Sequence, residues 1–148
     1  MAASDQKHLK DLRELQAEAA GFARRLFPRS DRATLVTLSG ELGAGKTSFT
    51  QGMAEALGVT EHITSPTFVL EKVYELPSDI PFARLVHLDA YRLEGDASLV
   101  PLGFHDLSAD PKNLIVLEWP ELVSGQLPEV DHALALSVDG DGRLLSYS

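Results

Sequence analysis

An α/β fold, built in three layers around a mixed, mostly parallel central sheet, is what three features of this 148-residue sequence predict. A run of β-branched and apolar residues at 34–39 passes directly into the glycine-rich stretch 40–47, and a helical pattern follows it. Two later apolar runs, 84–88 and 114–117, each end in a carboxylate. An amphipathic helix precedes these elements, and a strand–turn–strand pattern closes the chain.

The elements follow in order. Leu12, Leu15, Ala19, Phe22, Ala23 and Leu26 recur at three- and four-residue spacings, which predicts a helix over about 8–27 ended by Pro28. Residues 34–39 read as a buried strand, and the helix after the glycine stretch stops near Gly58. The segment 67–76 alternates as a strand, LPSDIP at 76–81 makes a turn with two prolines, and 83–88 is a second strand, so the pair forms a hairpin. Short helices and loops fill 94–108, the run 114–117 is a further buried strand, and 122–128 is loop. Asp139–Gly142 reads DGDG, a strong turn signal between two final strands at about 132–147. One domain over 1–148 is expected, with its core at about 34–128.

Composition narrows the function classes. Hydrophobic residues at 44% and charged residues at 24% match an ordinary water-soluble globular protein, and no apolar run reaches the roughly 18 residues of a membrane span. No secretory pattern opens the sequence and cysteine is absent, which together predict a cytoplasmic address with no membrane partner. The formal charge of −9 argues against unaided binding to nucleic acid. Arg24, Arg25, Arg29 and Arg32 are expected on a solvated helix face and the loop after it.

Residues 40–47, GELGAGKT, match G-x-x-x-x-G-K-[ST] in the strand–loop–helix context that a phosphate-binding loop requires. Gly40, Gly43 and Gly45 let the backbone curl so that successive N–H groups face phosphate oxygens, and the helix N-terminus adds partial positive charge. Gly43, Ala44, Gly45, Lys46, Thr47 and Ser48 are the expected nucleotide contacts. Lys46 supplies charge to the β- and γ-phosphates and Thr47 its hydroxyl to Mg²⁺, so ATP and Mg²⁺ are the expected cofactors. Asp89 ends the strand 84–88 where such enzymes carry a Walker-B aspartate, and Glu118 ends 114–117 in the same way. Lys46, Asp89 and Glu118 are the catalytic candidates, and Thr47, Asp89 and Glu118 the metal candidates. His87, between Val86 and Leu88, reads as a satisfied core histidine, and Trp119 reads equally as core anchor or site residue.

Together GELGAGKTSFTQGMAEALG, the tetrad SPTF at 65–68, HLDAYR at 87–92 and LEWP at 117–120 resemble the TsaE (YjeE) family of bacterial ATPases, over about 34–128. That resemblance implies a P-loop ATPase domain required for threonylcarbamoyladenosine in tRNA, working with a TsaB–TsaD complex and touching tRNA only indirectly. It implies that Lys46 and Thr47 contact phosphate and Mg²⁺, that Asp89 and Glu118 serve the metal site, and that Ser65, Pro66 and Thr67 form a switch sensing the γ-phosphate. Ser48 departs from the family's frequent second threonine, and residues 96–103 are less acidic than the family's stretch.

Two other classes compete. A small-molecule kinase would close arginines over a second substrate, yet after Lys46 the basic residues are only Lys72, Arg84, Arg92, Lys112 and Arg143. A nucleotide-dependent binding module with negligible turnover would share the phosphate loop, and two carboxylates at the metal favour hydrolysis over it.

Overall fold

The computed structural model describes residues 5–60, 71–92 and 98–148, the side chain of Arg92 excepted. The chain runs β1 (Asp5–Leu9), α1 (Leu12–Arg24), β2 (Thr34–Ser39), α2 (Lys46–Ala56), β3 (Glu71–Glu75), β4 (Arg84–Asp89), α3 (Phe104–Ala109), β5 (Asn113–Glu118), β6 (His132–Asp139) and β7 (Gly142–Tyr147). Tight 3-10 turns occupy Ala90–Arg92, Val100–Leu102 and Pro120–Gln126. The last of these lies where the sequence predicts plain loop.

The seven strands form one sheet in the order β1-β7-β6-β2-β5-β4-β3. Its centre, β6-β2-β5-β4, is parallel throughout. Both flanks are antiparallel, with β3 on β4 at one side and β7 and β1 beyond β6 at the other. The sheet is therefore mixed, as expected, but parallel pairing prevails only at its centre. Short connections can join strands only antiparallel, as in the hairpins β3–β4 and β6–β7, whereas β1 joins β7 across most of the sequence.

Alternation along the central strands decides which residues meet which layer. Val36, Leu38, Leu85, Leu114 and Val116 face α1 and α2, packing with Leu15, Ala19, Phe22, Phe49 and Met53. Leu35, Val86, Leu88, Ile115 and Leu117 face the opposite way, against Leu99, Phe104 and Val123. Two apolar layers thus enclose the sheet, and the three-layer expectation holds. α1 lies hard against α2: a Cβ at Gly52 would come within 2.8 Å of the Gln16 carbonyl.

The N-terminus departs from expectation. The helix begins at Leu12, not near residue 8, because the Asp11 side chain accepts from Glu14 N–H at 2.9 Å and caps it. Residues 5–9 instead pair with β7 as an edge strand in which only Leu9 is buried. Glu18 ties the helix to that flank, accepting from the Tyr147 hydroxyl and from Lys7. Burial pushes the Glu18 carboxyl up, but these two donors outweigh it and hold it below the ordinary range. Burial and the same carboxylate push the Tyr147 phenol well above its ordinary value.

The hairpins appear where the sequence places them, within the described residues. Leu76 N–H donates to the Ala83 carbonyl and closes the turn between β3 and β4. Residues 67–70 of that first expected strand, and the switch candidates Ser65, Pro66 and Thr67, lie outside the described residues. In the last hairpin Asp139 pairs with Gly142 across a two-residue turn whose Gly140 has φ +59°. Arg24 and Arg25 are exposed as expected, whereas Arg29 and Arg32 both bond Asp131, at 2.9 and 3.2 Å. Asp131 also accepts from the Leu35 N–H at 2.8 Å, pinning the start of β2 to the segment that leads into β6.

Candidate functional site

The site grows out of the C-terminal ends of β2, β4 and β5, the side of a parallel sheet where ligands collect. β2 ends at Ser39, and residues 40–45 carry the chain into α2, whose first residue is Lys46. Gly40, Gly43 and Gly45 all have positive φ, and at two of them a side chain would also collide. Gly40 has φ +146° and a Cβ there would sit 2.3 Å from the Leu136 carbonyl. Gly45 has φ +107° and a Cβ there would meet a Leu15 methyl at 2.9 Å. The loop consequently lies close against β6 on one side and α1 on the other.

Lys46 is 5% exposed, and its ammonium donates to the carbonyls of Gly40 at 2.6 Å and Glu41 at 2.9 Å. The same ammonium stands 4.3 Å from the centre of the Trp119 ring, a cation–π distance. Burial draws it below the ordinary lysine range, and the charges of Glu118 and Asp89 act in the opposite direction. A positive charge is thus held in a partly dry pocket, partnered by carbonyl dipoles and a ring face.

The opposite wall follows from strand parity. Leu85, His87 and Asp89 share one face of β4, and Leu114, Val116 and Glu118 share the same face of β5. Register sets Asp89 directly beside Glu118, so the two carboxylates are neighbours on the α2 side of the sheet. Both are buried, at 6% and 3% exposure. Asp89 accepts from the Tyr91 N–H at 3.0 Å, which turns the chain sharply after the strand. His87, two residues back, has its Nε2 2.5 Å from a Glu118 carboxylate oxygen. It is the satisfied core histidine that the sequence suggested, and its partner is a site carboxylate.

Trp119 lies on the cavity wall and also packs against the second apolar layer, so both of its readings hold. Its φ of +61° makes it the one non-glycine residue in the left-handed region among the described residues. That backbone swings the ring under Lys46 and against Tyr91, with ring centres 4.9 Å apart.

These walls enclose a cavity of about 390 Å³ lined by Gly43, Gly45, Lys46, Thr47, Ser48, Asp89, Glu118 and Trp119, among others. The structure therefore brings together the expected contacts of the glycine loop and both strand-end carboxylates. Ala44 differs: its methyl is buried with the helix layer, its N–H closes a turn on the Glu41 carbonyl, and its own carbonyl faces Arg143. Residues that sequence reasoning passed over complete the lining. Asp11, Leu12 and Leu15 come from the start of α1, and Asp141, Gly142 and Arg143 from the last hairpin. The Asp11–Glu14 spacing carried a capping signal, whereas nothing local marked Arg143.

The residues fit a polyphosphate with a divalent ion. A glycine-built cradle, a buried ammonium and the Thr47 hydroxyl lie across one cavity from two buried carboxylates. Among the described residues no cluster of three or more acidic or histidine side chains could hold a metal by itself. Magnesium characteristically takes one or two carboxylates and fills its remaining positions with phosphate and water, which suits this donor set.

Comparison with known proteins agrees with the geometry. A family model described as "Threonylcarbamoyl adenosine biosynthesis protein TsaE" matches residues 11–144. A Streptomyces coelicolor protein named tRNA threonylcarbamoyladenosine biosynthesis protein TsaE is 43% identical over 120 residues, covering 78% of this chain and 75% of the relative. A Treponema pallidum protein of the same name is 40% identical over 117 residues, covering 76% and 79%. The crystal structure of Bacillus subtilis YdiB superposes with a TM-score of 0.74 at 29% identity, covering 99% of this chain and 86% of that one.

A glycine loop between a central parallel strand and a helix, closing on a buried lysine, defines a P-loop protein of the nucleotide-binding class. Within that class, the match over residues 11–144 and the identities above decide the group. The chain belongs to the TsaE family. No helix of the described residues is long and apolar enough to cross a membrane.

Proposed function

We propose that this protein is a cytoplasmic, magnesium-dependent ATPase that supports formation of threonylcarbamoyladenosine in tRNA together with a TsaB–TsaD complex. The observation that carries the reading is the buried Lys46 ammonium in the glycine loop, facing Asp89 and Glu118 across one cavity. In the proposed complex the ammonium exchanges the Gly40 and Glu41 carbonyls for β- and γ-phosphate oxygens. Thr47, Asp89 and Glu118 would hold the magnesium ion, which supplies charge neutralisation at the transferring phosphoryl group. Ser65, Pro66 and Thr67 would serve as the segment that reports the γ-phosphate to the partner.

Slow turnover by the isolated chain and stimulation by a protein partner belong to the same proposal. Among the described residues the cavity is lined by one arginine, Arg143, and its guanidinium is already engaged by loop carbonyls. Charge developing on the transferring group therefore calls for a donor supplied in trans. The charge of −9, with Arg29 and Arg32 bonded to Asp131, disfavours direct contact with an RNA backbone and favours a protein intermediary.

Phosphate release from ATP by the purified chain tests this, measured with magnesium and with chelator, then with tRNA alone and with TsaB–TsaD. Expected are slow magnesium-dependent release, no acceleration by bare tRNA and clear acceleration by the protein complex. Acceleration by tRNA in the absence of any effect of the complex would reject the partner-gated reading. Absence of turnover under every condition would leave a nucleotide-dependent binding module.

A further inference from the structure

We infer that Arg143 is a positioning residue of the nucleotide site, a clamp in the last hairpin that stands at the cavity's edge and holds the phosphate loop in its binding shape. Its Nε donates to the Ala44 carbonyl at 3.1 Å and a terminal nitrogen donates to the Gly43 carbonyl at 3.1 Å. Its other terminal nitrogen donates to the Gly142 carbonyl at 2.8 Å, which fixes the guanidinium plane.

The physical consequence follows from the trans peptide unit, in which C=O and N–H point in opposite directions. A phosphate loop works by turning N–H groups toward the ligand, which leaves its carbonyls pointing elsewhere and in need of donors. By drawing the Ala44 carbonyl to itself, Arg143 directs the Gly45 N–H to the opposite side of that peptide. A guanidinium suits this work because it offers several donors in a rigid plane and stays charged at every accessible pH. Gly45 packs against the same support: a Cβ there would meet Leu15 at 2.9 Å and approach the Arg143 Nε at 4.0 Å.

The clamp is itself held on both sides. Arg143 pairs with Val138 of β6 and with Leu9 of β1, so β7 is pinned in register at this residue. The adjoining Gly142 lies so close to β1 that a Cβ would sit 2.4 Å from the Leu9 carbonyl. The antiparallel flank, which has no counterpart in the phosphate motif itself, is thereby part of the nucleotide site.

This inference rests on the nucleotide-binding reading, and the experiment separates the two. Mg·ATP and inorganic triphosphate are titrated by calorimetry into the wild type, Arg143→Ala and Arg143→Lys, and unliganded melting is recorded for each. A clamp on the loop predicts that Arg143→Ala weakens both ligands by the same factor, about ten-fold or more. Arg143→Lys should stay near the alanine variant, because a point charge does not reproduce the planar fork. Millimolar guanidinium should restore part of the affinity of Arg143→Ala, which a purely structural role would not allow. Wild-type affinity for both ligands in Arg143→Ala overturns the inference. So does a loss confined to ATP, which would assign Arg143 to the base or ribose. Should the alanine variant fail to fold, Arg143→Lys carries the same comparison of the two ligands. A wild-type chain that binds neither ligand overturns the nucleotide reading itself.

Discussion

The two walls of the cavity are made of different material. One wall is backbone: residues 40–45 curl between β2 and α2, and their positive φ values and close approaches to Leu136 and Leu15 fix the shape. The other wall is side chain: Asp89 and Glu118 project from adjacent parallel strands, buried and in register, with His87 against Glu118. A backbone wall recognises any polyphosphate through repeated N–H groups. A wall of two carboxylates instead repels phosphate until a cation joins it. The first is thus suited to binding and the second to metal-dependent chemistry, and the division can be broken experimentally.

The largest effect is expected where the Lys46 side chain adds its charge to the backbone wall. Lys46→Ala should abolish measurable ATP binding by calorimetry, by about 100-fold or more, since a desolvated charge on phosphate is lost. Its unliganded melting temperature should hold or rise, because the variant no longer buries an ammonium whose charged form burial disfavours. An affinity near wild type in a folded variant would dissolve the contrast between the walls.

At the carboxylate wall the effect should fall on rate. Glu118→Gln preserves the shape and a hydrogen bond to His87 while removing the charge. Turnover should drop by about 100-fold, the usual cost of one electrostatic participant, with ATP affinity changed only a few-fold. Turnover within about two-fold of wild type would make Glu118 a purely structural partner of His87.

How much of this was legible depended on whether the signal was local. The glycine loop is contiguous, and its residues announce both turn and chemistry. Asp89 and Glu118 were found because each ends an apolar run, and strand parity then set them on one face. β1 was missed because Asp5-Gln6-Lys7-His8 carries no apolar alternation: these residues are exposed, and the strand exists through backbone pairing to β7. Arg143 was missed for a related reason. In the run Arg143-Leu144-Leu145 it reads as an ordinary strand residue, and its partners Gly43 and Ala44 lie far away in sequence.

The smallest effect concerns pH and the face beneath the backbone wall. His132 packs edge-on against Phe22 of α1 at 5.4 Å, and burial holds its imidazole below the ordinary 6.5, opposed by Asp131. The unfolded chain therefore takes up this proton first. Its contribution to stability is present above about pH 6.5 and is lost as pH falls through the lower folded value. Melting curves from pH 8 down to about 5 should show a decline that His132→Gln makes shallower. An identical slope in the variant would remove His132 from the acid response.

The position of β2 in the sheet has a temporal consequence. That strand delivers the phosphate loop, yet its neighbours in the sheet are β5 and β6, and the loop's clamp arrives with β7. During synthesis the motif precedes β7 by roughly a hundred residues, about 5–20 seconds at ordinary elongation rates. For that interval the nascent chain carries a complete phosphate-loop sequence, with α1 already made but without the strand that clamps it. Non-local pairing of this kind also folds slowly. Competence for nucleotide thus waits on strands made well after its own signature.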